Sequence, residues 1–192
     1  MKTIGAVSPY SKPLRNNLDN KDYFKRAHEF GVMAGALKHT NFGFQYQYNI
    51  RPIKWVTLQG IAGLKLMNYD IYSASDEHRI QAGWLPISAG ARFHFMNTSK
   101  LSNYVFGKYG YAIGLGNNQN KMESDNCYEY GIGTILPVLD NSNSRLKIEI
   151  GRQEYPLRGR ALSSFQSVIN YNLLFNSFFF RIGFSFLPSK YR

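Results

Sequence analysis

From Phe42 to Arg51 the chain reads Phe42-Gly43-Phe44-Gln45-Tyr46-Gln47-Tyr48-Asn49-Ile50-Arg51, with an aromatic or aliphatic residue at every even position and a polar residue or glycine at every odd one. A period of two marks a β-strand, whose successive side chains leave opposite faces. A soluble sheet seldom sets a row of aromatics against amides, glycine and arginine. A membrane-spanning barrel strand must do so, with lipid on one side and a polar interior on the other. The same pattern predicts eight strands, near 28–38, 42–51, 55–70, 80–95, 103–116, 127–138, 145–156 and 170–186, with no convincing amphipathic helix between them. No apolar run approaches the ~20 residues a transmembrane helix needs.

Each strand divides into two faces. Phe42, Phe44, Tyr46, Leu58, Leu66, Ile87, Phe93, Tyr109, Tyr111, Ile132, Ile150, Phe178, Phe180, Ile182, Phe184 and Phe186 are assigned outward to lipid. Glu29, Lys65, Arg92, His94, Lys108, Glu129, Lys147, Glu149 and Arg181 are assigned inward, with Gln45, Gln47, Asn49 and Gln59, spaced by glycines such as Gly31, Gly63, Gly110, Gly131 and Gly133. Glycine suits that face because eight strands leave an interior only just wide enough for side chains. The connections alternate. Arg51 to Lys54 and Asp140 to Ser144 are turn chemistry, whereas Ser73–Arg79, Asn117–Asn126 and Leu157–Ile169 read as longer polar loops at the other end, and Lys38–Asn41 as a short one. An even strand count puts both barrel ends on one side, with Pro188 closing the last strand.

Three segments carry a family likeness: Gln45 to Leu58 as strand, tight turn and strand; Trp84-Leu85-Pro86-Ile87 at the head of the fourth strand; and Phe180-Arg181-Ile182-Gly183-Phe184-Ser185-Phe186 as the closing strand. Over residues 28–186 the chain resembles the small eight-stranded outer-membrane barrels of OmpA type, most of all those abundant in Bacteroidetes. The resemblance implies an all-β, eight-stranded antiparallel transmembrane barrel in a bacterial outer membrane. It also implies that Gly183, Phe184 and Phe186 belong to a signal read by the barrel-assembly machinery, although here the chain continues through Leu187–Arg192. The family shares no catalytic residues to carry over. A soluble lipocalin-like ligand binder, with its aromatics turned inward, gives a similar string, but too many large rings would share a narrow interior.

Composition refines this picture. With 192 residues and 44% hydrophobic content the chain suits one domain, and its 14 Tyr and 14 Phe fit a membrane surface. Residues 1–27 form a basic arm of net charge +4, expected to be periplasmic, ahead of a barrel over 28–192. Met1–Val7 is too short for a complete secretory signal, so the signal is expected to have been removed. Cys127 has no partner for an internal disulfide. The net charge of +11 would suggest nucleic acid in a cytoplasmic protein. In an outer membrane, anionic lipopolysaccharide and acidic protein partners account for it instead.

Candidate chemistry is sparse. Five inward cations face Glu29, Glu129 and Glu149, which predicts a packed, ion-paired plug more readily than an ion path. Asp76-Glu77-His78 offers metal-ligand types, but three adjacent residues diverge, and no metal or cofactor is expected. A lipid A- or phospholipid-modifying barrel needs serine, histidine and carboxylate together, and no spacing joins His39 and Thr40 to Ser163-Ser164. Arg158 and Arg160, placed in the final outer loop, are the candidates for lipid phosphates. The expected role is non-enzymatic, as a structural or accessory subunit of a secretion, uptake or barrel-insertion complex. A lipid-modifying enzyme and a small pore are the alternatives.

Overall fold

A computed structural model describes residues 26–35, 41–72, 77–97, 101–116, 120–138, 144–162 and 168–186. The alternating segments become nine strands: β1 (Arg26–Gly35), β2 (Asn41–Ile53), β3 (Val56–Tyr72), β4 (Glu77–Asn97), β5 (Ser102–Leu115), β6 (Asn120–Met122), β7 (Asp125–Pro137), β8 (Ser144–Leu162) and β9 (Val168–Phe186). Each pairs antiparallel with its neighbours, and β8 with β9 and β9 with β1 close the ring. Short β6 pairs with the far part of β8, in line with β7. These two strands share one stave, so the closed barrel has eight.

The stagger follows from the register. Stepping from partner to partner leads from Phe186 through His28, Tyr48, Gly60, Ala89, Tyr109, Tyr128 and Glu154 to Asn176, a return to β9 ten residues from the start. With eight staves, that shear tilts the strands by about 40° and narrows the interior to side-chain width. Glycines make the narrowness tolerable. Gly131 lies opposite Gly151, and a Cβ on Gly131 would fall 2.6 Å from the Gly151 Cα.

The outward assignments hold on the seven staves where they were made, with Phe44, Leu58, Ile87, Phe93, Tyr109, Ile132, Phe178 and Phe184 among the exposed large apolar side chains, and on β1 the structure adds Phe30 to that face. The tight turn lies at Lys54-Trp55, flanked by the Ile53 and Val56 pair, with Lys54 over the Trp55 ring at 5.2 Å.

Several expectations need correction. Leu157–Ile169 is mostly strand, because β8 and β9 stay paired from Leu157 with Leu173 out to Leu162 with Val168, and β3 and β4 extend likewise to Tyr72 and Glu77. Ladder hydrogen bonds persist there although the face alternation has faded. Arg158 and Arg160 accordingly lie on β8 and not in a loop. Trp84 to Ile87 lies in the middle of β4, where Pro86, lacking an N–H, coincides with a gap in the β3–β4 ladder between the Ala62–Ile87 and Lys65–Trp84 pairs. Asn117–Asn126 contains β6. Most of the basic arm, His39 with Thr40, Asp76, the turn residues Asp140 to Asn143, Ser163 with Ser164, and Pro188 lie outside the described residues.

Candidate functional site

Inward alternation on seven staves brings the charged residues into one buried network. Glu29 on β1 takes a two-pronged contact from Arg92 on β4, with Nη1 donating to Oε1 at 2.8 Å and Nη2 to Oε2 at 2.6 Å. Lys147 on β8 donates to Glu29 Oε2 at 2.8 Å and to Gln47 Oε1 at 3.1 Å. Nearer the far end, Glu129 on β7 gathers Lys65 at 2.9 Å, Arg181 at 2.6 Å and Lys108 at 3.4 Å.

Glu149 joins the two groups. Its carboxylate is 2.7 Å from Arg181, 3.3 Å from Arg92 and 3.7 Å from both Lys108 and Lys147, and it accepts the Tyr104 hydroxyl at 2.9 Å. Arg181 and Glu149 are both 0% exposed. Each carboxylate therefore serves two or more cations, as charge hidden from water requires. Five cations against three carboxylates still leave this group with an excess of +2.

Alternation alone also pointed to residues that were not singled out from the sequence. Gln153 shares parity with Lys147 and Glu149; it accepts from Lys65 at 2.5 Å and donates to Ser177 at 2.8 Å and Asn41 at 3.1 Å. Tyr155 donates to Glu129 at 3.0 Å, and its ring lies 3.7 Å from Lys65 Nζ. The expected polar lumen is polar only in part. Towards the far end Trp84, Tyr155, Phe175, Tyr171, Met67 and Met122 pack into an apolar cap. Large rings share parity with the charges and compete with them for the same narrow space.

His94 stands apart from the ion pairs, near the end that holds the β1 start and the β9 end. It bonds Thr57 Oγ1 at 2.9 Å through Nε2 and Ser102 Oγ at 2.8 Å through Nδ1. This is a histidine and serine pairing that sequence spacing did not suggest. Both ring nitrogens are taken by hydroxyls and all three residues are buried, so the group lacks the carboxylate that orients a catalytic base. Glu77 and His78 lie on β4 in register with Tyr72 and Ile71. Among the described residues no cluster of three or more metal-ligand types is present.

The outer wall is not uniform. On β8 the outward series Leu146, Ile148, Ile150 is followed by Arg152 and Glu154, while Arg152's partners, Tyr130 and Phe178, remain apolar or aromatic. Arg152 Nε donates to Asn176 Oδ1 at 2.5 Å, and Asn176 Nδ2 donates to Glu154 at 3.4 Å. Asn176 lies between Phe178 and Leu174, both exposed, so this polar chain is set within the apolar belt. Further along, Arg158 pairs with Asp125 at 2.8 Å and donates to Asn172 at 2.8 Å, whereas Arg160 lies opposite Lys121. Gly183, Phe184 and Phe186 lie on β9 with both rings outward and Gly183 opposite Gly31.

No protein-family profile and no curated protein sequence matches this chain. Among solved structures it is similar to the crystal structure of the outer membrane protein OprG from Pseudomonas aeruginosa, with a TM-score of 0.61 and 9% identity over 84% of this chain and 92% of that one. It is also similar to the solid-state NMR structure of the outer membrane protein AlkL in DMPC lipid bilayers, with a TM-score of 0.54 and 10% identity over 97% of this chain and 95% of that one. At such identities the likeness is one of fold: the chain has the closed, eight-stranded antiparallel barrel of small outer-membrane proteins.

Proposed function

We propose that this protein is a non-enzymatic barrel of a bacterial outer membrane, sealed through its lumen, which serves as an accessory subunit by presenting its β8–β9 wall to a protein partner. The observation that carries the reading is the outward chain of Arg152, Asn176 and Glu154 inside the apolar belt. An arginine on a lipid face costs about 2–4 kcal/mol at the bilayer midplane and falls towards zero only near the interface. A partner surface with acceptors of its own removes that cost. The buried network supports the sealed lumen, since its ion pairs close the space through which solutes would pass. In this reading the Lys54-Trp55 turn and both barrel termini face the periplasm, with Trp55 anchoring that interface. Kinship with the OmpA-type barrels of Bacteroidetes rests on the Gln45–Leu58 hairpin and the Phe180–Phe186 closing strand.

The test is recovery of the tagged full chain from native outer membranes in mild detergent, beside an Arg152→Leu variant. Stoichiometric partners that drop away in the variant support the reading. A barrel that emerges alone refutes the accessory role, and release without detergent refutes the membrane placement. Planar bilayers containing pure protein are expected to stay silent, and steady unitary conductance would show an open lumen.

A further inference from the structure

Above the apolar belt, one row of outward positions runs across β6, β8 and β9. Lys121 is the register partner of Arg160, and Arg160 of Asn170, and all three side chains are exposed. Like charges directly opposite each other on a sheet repel and destabilise the pairing. The row below is compensated: Arg158 is held by Asp125 at 2.8 Å and by Asn172, and exposed Glu123 lies opposite it through a backbone bond of 2.9 Å from Glu123 N to Arg158 O. Asp125 is thus engaged, and Glu123 stands one row away from Lys121 and Arg160. Among the described residues the upper row therefore presents two cations and an amide donor around one outward-facing spot.

Its height fits a lipid headgroup. Arg160 lies four residues beyond Pro156, whose partner Leu174 is exposed and apolar. Four residues span about 13 Å along the strand, or about 10 Å along the barrel axis at a tilt of about 40°. The headgroup layer begins just outside the hydrocarbon and is roughly 5–8 Å thick, within reach of long basic side chains that extend along the wall. A guanidinium grips a phosphate with two parallel hydrogen bonds, and an ammonium adds a point charge.

We propose that Lys121 and Arg160, with Asn170, bind the phosphomonoester of a phosphorylated glycolipid in the outer leaflet. The inference rests on the outer-membrane placement proposed above. It also moves the contact away from Arg158, which Asp125 already occupies.

The test uses the full chain in phosphatidylcholine nanodiscs doped with diphosphoryl lipid A or with its dephosphorylated form, with retained lipid read by native mass spectrometry. Wild type is expected to enrich the phosphorylated lipid at least about tenfold, the worth of one charge-assisted hydrogen bond. A K121Q/R160Q variant should lose the preference, while K54Q, at the opposite end of the barrel, should keep it. Millimolar inorganic phosphate should fail to displace the lipid. Equal retention of both lipids by wild type overturns the site, and that comparison does not depend on any variant folding. An equal loss in K54Q reduces the effect to diffuse charge, and displacement by inorganic phosphate assigns the site to the free ion; either result overturns the lipid assignment. A chain that stays outside the nanodisc refutes the membrane placement itself, whereas one that inserts and ignores the phosphates refutes only this site.

Discussion

Glu149→Gln tests the sealed lumen most directly, because it keeps the side-chain size and removes one charge. Wild type holds five cations against three carboxylates in the network, and the variant raises the excess from +2 to +3. Four cations lie within 3.7 Å of the Glu149 carboxylate, and none of them can turn to bulk water from its buried position. Removing one partner of a buried ion pair costs about 3–5 kcal/mol, so a loss near 4 kcal/mol is expected. Urea unfolding of the barrel in lipid, followed by tryptophan fluorescence and by heat-modifiable gel mobility, should show a lower midpoint with an unchanged slope. Adding Lys108→Met returns the excess to +2, and the double variant should recover about 1–3 kcal/mol relative to the sum of the single costs. If Glu149→Gln costs less than about 1 kcal/mol and the two changes simply add, water solvates these charges and the lumen is not sealed.

The remaining expectations concern packing and the outer wall. Gly131→Val should prevent folding or cost more than about 3 kcal/mol, since its Cβ would meet backbone and no flexible side chain can yield; a normal folded band on a semi-native gel would contradict this. Gln153→Leu deprives Lys65 of an acceptor and should cost about 1–3 kcal/mol by urea titration, with no loss at all arguing that the Lys65–Gln153 contact is idle. Arg152→Leu should stabilise the isolated barrel in partner-free vesicles by about 1–3 kcal/mol while lowering co-purification of the partner proposed for the β8–β9 wall. Destabilisation in vesicles would mean that Arg152 already faces a solvated, favourable surroundings there.

How far the chain could be read varied from element to element. The Phe42–Arg51 stretch revealed both faces because its two surfaces meet opposite environments, and the structure turns Phe44 out and Gln47 in as that pattern requires. Where the two environments cease to differ, the signal fades: Leu157–Leu162 and Val168–Ile169 read as loop, yet they continue the β8–β9 ladder. Tyr104, Tyr155 and Gln153 carry the inward parity of Lys108 and Glu149, but parity alone does not distinguish a lumen of charged and small residues from one that also buries large rings. The pairing of His94 with Thr57 and Ser102 had no local signal, since its members come from β4, β3 and β5.

The sequence by itself determined the strand period, the sidedness of each stave and hence which charges share the lumen, because alternation is a local property set by the pleat. Only the tertiary structure decided which of those charges touch. Glu29 reaches Lys147 across 118 positions of chain, and Glu149 gathers cations from β4, β5, β8 and β9. Those meetings depend on a ring closed with a stagger of ten residues, a quantity that belongs to all eight staves together and is written in none of them alone.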